Sequence, residues 1–140
     1  MLDGINSTLD LISHETKNRI EIIKDFEKIP PVYCYPDYIN QVFMNILLNA
    51  CQSIKTKGII EITTADTEKF ILITISDTGV GIKKDELSKI FEFGFTTKKF
   101  GQGTGLGLAL VKKIIDEHNG KIEVESILNK GTIFKIYLPK

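Results

Sequence analysis

Residues 101–108 read Gly-Gln-Gly-Thr-Gly-Leu-Gly-Leu and constrain the fold more than any other segment. Glycines stand at alternate positions and lead directly into an apolar segment with helical spacing, Leu106 to His118. Exposed backbone N–H groups and the positive end of a helix then face one point, which predicts an anion site. The spacing matches neither the G-x-G-x-x-G of dinucleotide-binding folds nor the G-x-x-x-x-G-K-[ST] of P-loops. A flexible hinge is the alternative interpretation.

A pair of amides lies on the segment with the strongest helical spacing, Tyr38 to Ile54. Asn45 and Asn49 are four residues apart, so their side chains project from one face of the helix, one turn apart. An amide oxygen is a neutral, hard ligand that suits Mg²⁺. The alternative is that both amides cap loops or bond other polar groups in the core.

An acidic turn follows a predicted strand: residues 77–81 read Asp-Thr-Gly-Val-Gly. The carboxylate of Asp77 at the end of the strand suits an exocyclic amino group as its donor. Gly79 and Gly81 would let the backbone approach a flat ligand closely. An ordinary tight turn with a turn-favouring Asp is the alternative.

Between the two glycine clusters, residues 91–98 read Phe-Glu-Phe-Gly-Phe-Thr-Thr-Lys. Aromatic anchors together with hydroxyls and an ammonium are typical of a lid over bound phosphates, and Lys98 could meet the terminal phosphate. Alternatively, the phenylalanines are core residues and Lys98 and Lys99 are a solvated pair.

The remaining apolar segments predict a mixed sheet with helices on one face. Besides the two helices above, the predicted elements are a helix from Asn6 to about Glu15 and a strand at Arg19–Phe26. Two pairs of strands are also predicted: Ile59–Thr64 with Phe70–Ser76, and Lys121–Ser126 with Thr132–Leu138. A chain of 140 residues with 42% hydrophobic content fits one globular domain.

Composition narrows the function classes. Lys and Arg (18) balance Asp and Glu (18), which argues against broad capture of nucleic acid or of an anionic membrane surface. Cys34 and Cys51 lack metal-ligand spacing and predict free, buried thiols in a reducing compartment. No apolar run approaches the roughly 20 residues that span a bilayer, so we expect a soluble, cytoplasmic domain without membrane contact.

Taken together, the four motifs resemble the N, first glycine, F and second glycine boxes of sensor histidine kinases, in their proper order. The resemblance covers roughly Pro31 to Pro139. It implies the Bergerat ATP-binding fold that histidine kinases share with DNA gyrase, Hsp90 chaperones and MutL proteins. That fold is an α/β two-layer sandwich of a mixed β-sheet packed on three helices, and we expect it to occupy the whole chain, 1–140, with a core of about 31–139.

The resemblance also implies roles for individual residues. Asn49 would ligate Mg²⁺, Asn45 would line the same pocket, and Asp77 would accept a hydrogen bond from the adenine amino group. Gly79 and Gly81 would shape the base pocket, and Asn45, Asn49 and Lys98 would form the catalytic set. Further contacts with Mg·ATP are implied for Phe91, Thr97, Lys98, Gly101, Gly103, Thr104, Gly105, Leu106 and Gly107.

One residue type separates the activities within this superfamily. Gyrase-like and MutL-like hydrolases carry a glutamate base about where Asn45 stands, so its absence favours phosphoryl transfer over efficient hydrolysis. Phe93-Gly94 stands where many members read Pro-Phe, a departure that leaves Thr97 and Lys98 in place.

The resemblance therefore implies a catalytic domain that delivers the γ-phosphoryl group of ATP to a histidine on a separate dimerisation domain. A response regulator would act downstream, and the parent protein could be anchored in a membrane. Two alternatives remain: a serine kinase of the anti-sigma-factor type, and an ATP-binding regulatory module that transfers nothing.

Residues 13–18 read Ser-His-Glu-Thr-Lys-Asn and look like the H box that carries the phosphoacceptor histidine. However, Arg19 replaces the proline, and only 35 residues separate His14 from Asn49. A hairpin of two helices of about 20 residues cannot fit there along with two strands. We therefore predict that His14 ends an N-terminal helix, and that His118 interacts with the dipole at the end of another.

Overall fold

The computed structural model describes residues 2–30, 32, 34–92 and 107–140. The helices and strands in this part of the chain are labelled in chain order. The elements are α1 (Leu2–Leu11), α2 (Ser13–Thr16), β1 (Ile20–Phe26), α3 (Pro36–Ser53), β2 (Gly58–Asp66), β3 (Phe70–Asp77), α4 (Gly107–Glu117), β4 (Lys121–Ile127) and β5 (Gly131–Pro139).

The strands form one five-stranded sheet in the order β1-β2-β3-β5-β4. β1 runs parallel to β2, because α3 crosses over between them, and every other neighbouring pair is antiparallel. The predicted mixed sheet is thus confirmed, including both predicted strand pairs. β3 occupies the middle of the sheet and ends at Asp77, which pairs with Ile60 on one side and Thr132 on the other.

One face of the sheet is buried beneath the helices. Residues of β3 alternate between buried and half-buried along the whole strand, as expected where one side packs on a core. α3 lies between α1 and α4, and its apolar face includes Phe43 and Leu47, both fully buried. The expected α/β two-layer sandwich is confirmed; α2, a helix of four residues, adds to the three helices expected.

The N-terminal segment differs from its prediction. A single helix from Asn6 to Glu15 was expected, but α1 begins at Leu2 and a break at Ile12 separates it from α2. Ile12 lies in a turn, and its side chain is buried in the same core as Ile5. His14 consequently belongs to α2 and not to the end of the first helix; its side chain is largely exposed and lies 3.5 Å from Glu15.

Other boundaries lie within about two residues of those predicted. α3 begins at Pro36 instead of Tyr38, because proline has no N–H to leave unpaired in the first turn. Both thiols are free, as predicted, although only Cys51 is fully buried and Cys34 is half-buried.

The guanidinium of Arg19 ties the N-terminal segment to the end of α3. It donates to the carbonyls of Cys51 at 3.0 Å, Ile54 at 2.8 Å and Glu15 at 2.7 Å. The last carbonyls of a helix have no partner within the helix, so an external donor is needed where they are shielded from water. Arg19 supplies two such donors and fixes the last turn of α3.

Replacing Arg19 with Met should therefore lower the free energy of unfolding by about 2 kcal/mol, since hydrogen bonds from a charged donor are lost at half-buried carbonyls. Arg19→Lys should lose part of this, because an ammonium cannot reproduce the fork of donors. Urea denaturation measures both changes.

The matched control is Lys112→Met, which removes an exposed cation paired with Asp116 at 2.8 Å on α4. That change should cost less than about 0.5 kcal/mol. Equal losses at Arg19 and Lys112 would contradict the role given to Arg19.

Candidate functional site

A row of polar residues runs along α3, and we call Gln41, Asn45, Asn49 and Ser53 the polar stripe. They are spaced by four, so they lie on one side of the helix. Gln41 is exposed and the other three are half-buried, between the apolar core and solvent. With a rise of about 1.5 Å per residue, Asn45 and Ser53 lie about 12 Å apart along the helix axis.

At one end of the polar stripe, Asn45 meets the start of α4. Its Nδ2 donates to the carbonyl of Gly107 at 3.1 Å, and its Oδ1 accepts from Gln41 Nε2 at 2.8 Å. Asn45 thus bonds other polar groups, which was the alternative interpretation of this residue. It also joins α3 to the residue at which the glycine-rich segment enters α4. Asn49, one turn further along α3, is half-buried, and it too interacts with another group of the protein.

At the other end of the polar stripe, Ser53 meets the carboxylate of Asp77. Asp77 is only 7% exposed, and its Oδ1 accepts from the Gly79 N–H at 2.8 Å and from the Ser53 hydroxyl at 3.2 Å. Burial raises the pKa of the Asp77 carboxyl, while hydrogen bonds from Gly79, Ser53 and the Thr132 backbone act in the opposite direction.

Ser53 was not among the predicted site residues. A single serine near the end of a helix is an ordinary capping or surface residue, and it carries no chemistry by itself. Its position four residues after Asn49 was the available signal, because that spacing extends the row of amides by one more turn.

The two glycines after Asp77 are required by packing within the chain. A Cβ atom at Gly79 would overlap the Ser53 hydroxyl and lie 2.7 Å from the Ser53 Cβ. Gly81 has φ of +74°, and a Cβ there would overlap the carbonyl oxygen of Ile127. The predicted reason was close approach to a ligand; the described contacts are with the protein itself.

Several predicted site residues lie outside the described part of the chain. These are Thr97, Lys98, Gly101, Gly103, Thr104, Gly105 and Leu106. Phe91 is described and half-buried, and its ring meets Phe134 edge to face with centroids 6.5 Å apart. Its described contact is therefore with the core, as in the alternative interpretation of the phenylalanines.

His118 lies directly after α4 and closes its last turn, as predicted. Its Nδ1 bonds the carbonyl of Ile114 at 2.8 Å, and its Nε2 accepts from the Tyr35 N–H at 3.1 Å. Because Nε2 accepts, Nδ1 is the ring nitrogen that donates, to the carbonyl of Ile114. The ring links the end of α4 to the start of α3, at the opposite end of α4 from Gly107.

The raised pKa of Asp77 predicts a pH dependence of stability. Folded Asp77 holds its proton to a higher pH than the ordinary 3.8. Between the unfolded pKa and the higher folded pKa of Asp77, the folded state binds more protons than the unfolded state. The stabilisation from this group is therefore fully present below the unfolded pKa and is lost as pH rises through the folded pKa. The free energy of unfolding, measured relative to Asp77→Asn, should therefore fall with rising pH across this window. A difference that stays flat with pH would contradict it.

Comparison with known proteins identifies the family of this domain. Residues 34–140 match the family described as histidine kinase-, DNA gyrase B-, and HSP90-like ATPase. The chain belongs to this ATPase family. The matched span contains α3, α4 and the Asp77 turn, and thus the whole polar stripe.

Relatives of this ATPase-family domain are kinases. It is 40% identical over 138 residues to the sensor histidine kinase ZraS of Escherichia coli, covering 96% of this chain and 29% of ZraS. It is also 40% identical over 141 residues to sporulation kinase E of Bacillus subtilis, covering 96% of this chain and 18% of that kinase. The chain thus spans less than a third of either relative.

Solved structures of histidine kinase catalytic domains resemble this domain as well. The nucleotide-free catalytic domain of histidine kinase ThkA superposes with a TM-score of 0.89 at 32% identity, covering 100% of this chain and 92% of that one. The ATPase-family domain therefore has the fold of a histidine kinase catalytic domain. Among its described helices, none is both long and apolar enough to cross a membrane.

Proposed function

We propose that this domain binds Mg·ATP along the polar stripe and delivers the γ-phosphoryl group to a histidine on a separate dimerisation domain. The observation that carries the proposal is the layout of α3. One end of its polar stripe meets a buried carboxylate, and the other meets the residue where a glycine-rich segment enters a helix. The intervening distance of about 12 Å along the helix axis suits an extended nucleoside triphosphate.

The base would lie at the Asp77 end. Because Oδ1 of Asp77 already accepts from Gly79 and Ser53, the carboxylate is held in one orientation. An adenine amino group is a donor that such a carboxylate pairs with, whereas the guanine carbonyl at the same ring position is an acceptor that it repels. Adenine selectivity follows.

The phosphates would lie at the Asn45 end. Backbone N–H groups of the glycine-rich segment, Gly101 to Gly107, and the dipole of α4 are suited to anions, and Lys98 adds a charge that complements the terminal phosphate. Asn49 offers an amide oxygen to Mg²⁺, and a bound magnesium ion would neutralise charge on the phosphate oxygens.

Transfer is favoured over hydrolysis by the chemistry of the polar stripe. None of its four residues has a carboxylate, and both functional atoms of the Asn45 amide are already engaged, by Gln41 and Gly107. An amide cannot take a proton from water at neutral pH, so water stays a poor nucleophile. The role left to these residues is to position the triphosphate for a nucleophile brought by a partner.

That partner would be a dimerisation domain that carries a phosphoacceptor histidine, and a response regulator would receive the phosphoryl group afterwards. The relatives support this assignment, because this chain matches only 29% of ZraS and 18% of sporulation kinase E. The rest of each kinase leaves room for a dimerisation domain. The domain would then work on the cytoplasmic side, where ATP is available, in a parent protein that is free or membrane-anchored. His14 would not be the acceptor.

Calorimetric titration with a non-hydrolysable ATP analogue, with and without Mg²⁺, tests the binding half of the proposal. A GTP analogue is the control, and selective, Mg²⁺-dependent binding of the ATP analogue is expected. For the transfer half, the dimerisation domain of a related sensor kinase is added together with labelled ATP, and its His→Ala variant serves as control. Transfer to histidine would be refuted if the dimerisation domain stayed unlabelled, or if it and its His→Ala variant were labelled equally.

A further inference from the structure

The Ser53 hydroxyl has two acceptors and a single proton. Its Oγ lies 2.9 Å from the carbonyl oxygen of Ala50, in its own helix, and 3.2 Å from Oδ1 of Asp77. The hydroxyl also packs against Gly79, where an added Cβ would overlap it. Three neighbours therefore fix its place, while the direction of its proton is free to change.

The charge of Asp77 decides that direction. An ionised carboxylate is a stronger acceptor than a peptide carbonyl, so the Ser53 proton points to Asp77 when Asp77 is charged. When the carboxyl is protonated, the Ser53 hydroxyl turns to Ala50, which is the usual partner of a serine within a helix. Ser53 thus stabilises the charged form of Asp77 and contributes little to the neutral form.

The other groups that face Asp77 make this donor important. The strands on either side contribute uncharged partners, Ile60 and the backbone of Thr132, and the following turn contributes the Gly79 N–H. From α3 comes the Cys51 thiol, whose pKa is raised to about 11, chiefly by burial and in part by the charge of Asp77. In the described part of the chain, the groups that act on the pKa of Asp77 include no cation.

We propose that Ser53 is a positioning residue for base recognition: its hydroxyl holds the Asp77 carboxylate charged and correctly oriented to accept from the adenine amino group. This inference rests on the proposed function. Without the Ser53 donor, Asp77 takes up a proton more readily. A protonated carboxyl presents a donor, which suits the guanine carbonyl instead of the adenine amino group. Ser53 therefore contributes to the choice between the two bases.

The test compares Ser53→Ala, Ser53→Thr and the unchanged chain in two measurements. The first follows the Asp77 carboxyl carbon by ¹³C NMR during a pH titration without nucleotide. The second measures dissociation constants for ADP and GDP across the same pH range. In Ser53→Ala, Asp77 should titrate at a higher pH than in the unchanged chain. This variant should also bind ADP about tenfold more weakly and prefer ADP to GDP by a smaller factor. Ser53→Thr, which keeps the hydroxyl, should restore both.

Thr8→Val is the matched control, since Thr8 also donates its hydroxyl to a carbonyl of its own helix, at 2.8 Å, but on α1. It should move neither readout. An unshifted Asp77 titration in Ser53→Ala would overturn the inference, and so would a shifted titration with unchanged ADP affinity. If the unchanged chain fails to bind ADP, the proposed function falls, and with it the part of the inference that concerns the base. The NMR titration still decides whether Ser53 controls the charge of Asp77.

Discussion

Asp77→Asn is expected to weaken binding of adenine nucleotides by about 1–3 kcal/mol, or roughly 10- to 100-fold. The reason lies in the two donors on Oδ1 of Asp77. Gly79 and Ser53 both donate to that atom, so in the variant the amide oxygen of the new side chain will take its place. The amide NH₂ then faces the base, where it opposes the adenine amino group and matches the guanine carbonyl.

Calorimetry with ADP and GDP distinguishes this from general damage. Damage to the fold would weaken binding of both nucleotides, whereas the hydrogen-bond reversal should weaken ADP and spare or strengthen GDP. Urea denaturation near neutral pH should show the variant to be at least as stable, because a buried charge has been removed. Equal ADP affinity in both proteins would refute the role of Asp77.

Asn49→Ala should have the largest effect on phosphoryl transfer. If its amide ligates Mg²⁺, truncation removes the ligand that holds the ion on the phosphates, and transfer to a dimerisation domain should fall on the order of 100-fold or more. Binding of the ATP analogue should lose its dependence on Mg²⁺. The fold should change little, since alanine is the most favourable helix former.

Asn40→Ala is the matched control on the same helix, because Asn40 is also half-buried but lies nine residues before Asn49, on the opposite side of α3 against Gly4 of α1. It should keep both the magnesium dependence and the transfer rate. An Asn49→Ala variant that still gains affinity on addition of Mg²⁺ would contradict the assignment of Asn49.

Local patterns in the sequence predicted most of the fold. The spacing of Val42, Ile46 and Leu47 predicts α3, and β-branched segments around the turn at residues 65–69 predict the β2–β3 pair. These signals are short-range, because helix and strand periods are properties of consecutive residues. Asn45, Asn49 and Asp77 were found in the same way, as polar residues in otherwise apolar elements.

What escaped prediction depends on contacts between distant residues. Arg19 bonds carbonyls 32 and 35 residues away, and Ser53 meets a carboxylate 24 residues away. The residues next to Arg19 and Ser53 in the sequence give no signal of these distant contacts. The break at Ile12 was missed as well: local periodicity continues the helix there, whereas the Ile12 side chain belongs to a core assembled from residues far apart in the chain.

The order of the strands leaves β1 and β4 as the two borders of the sheet. Both borders carry charges of both signs on exposed or half-buried positions: Glu21, Lys24 and Asp25 on β1, and Lys121, Glu123 and Glu125 on β4. Such side chains oppose edge-to-edge association, in which backbone groups of one sheet extend another. We therefore expect any pairing of two copies of this domain to use a surface other than these two strand edges.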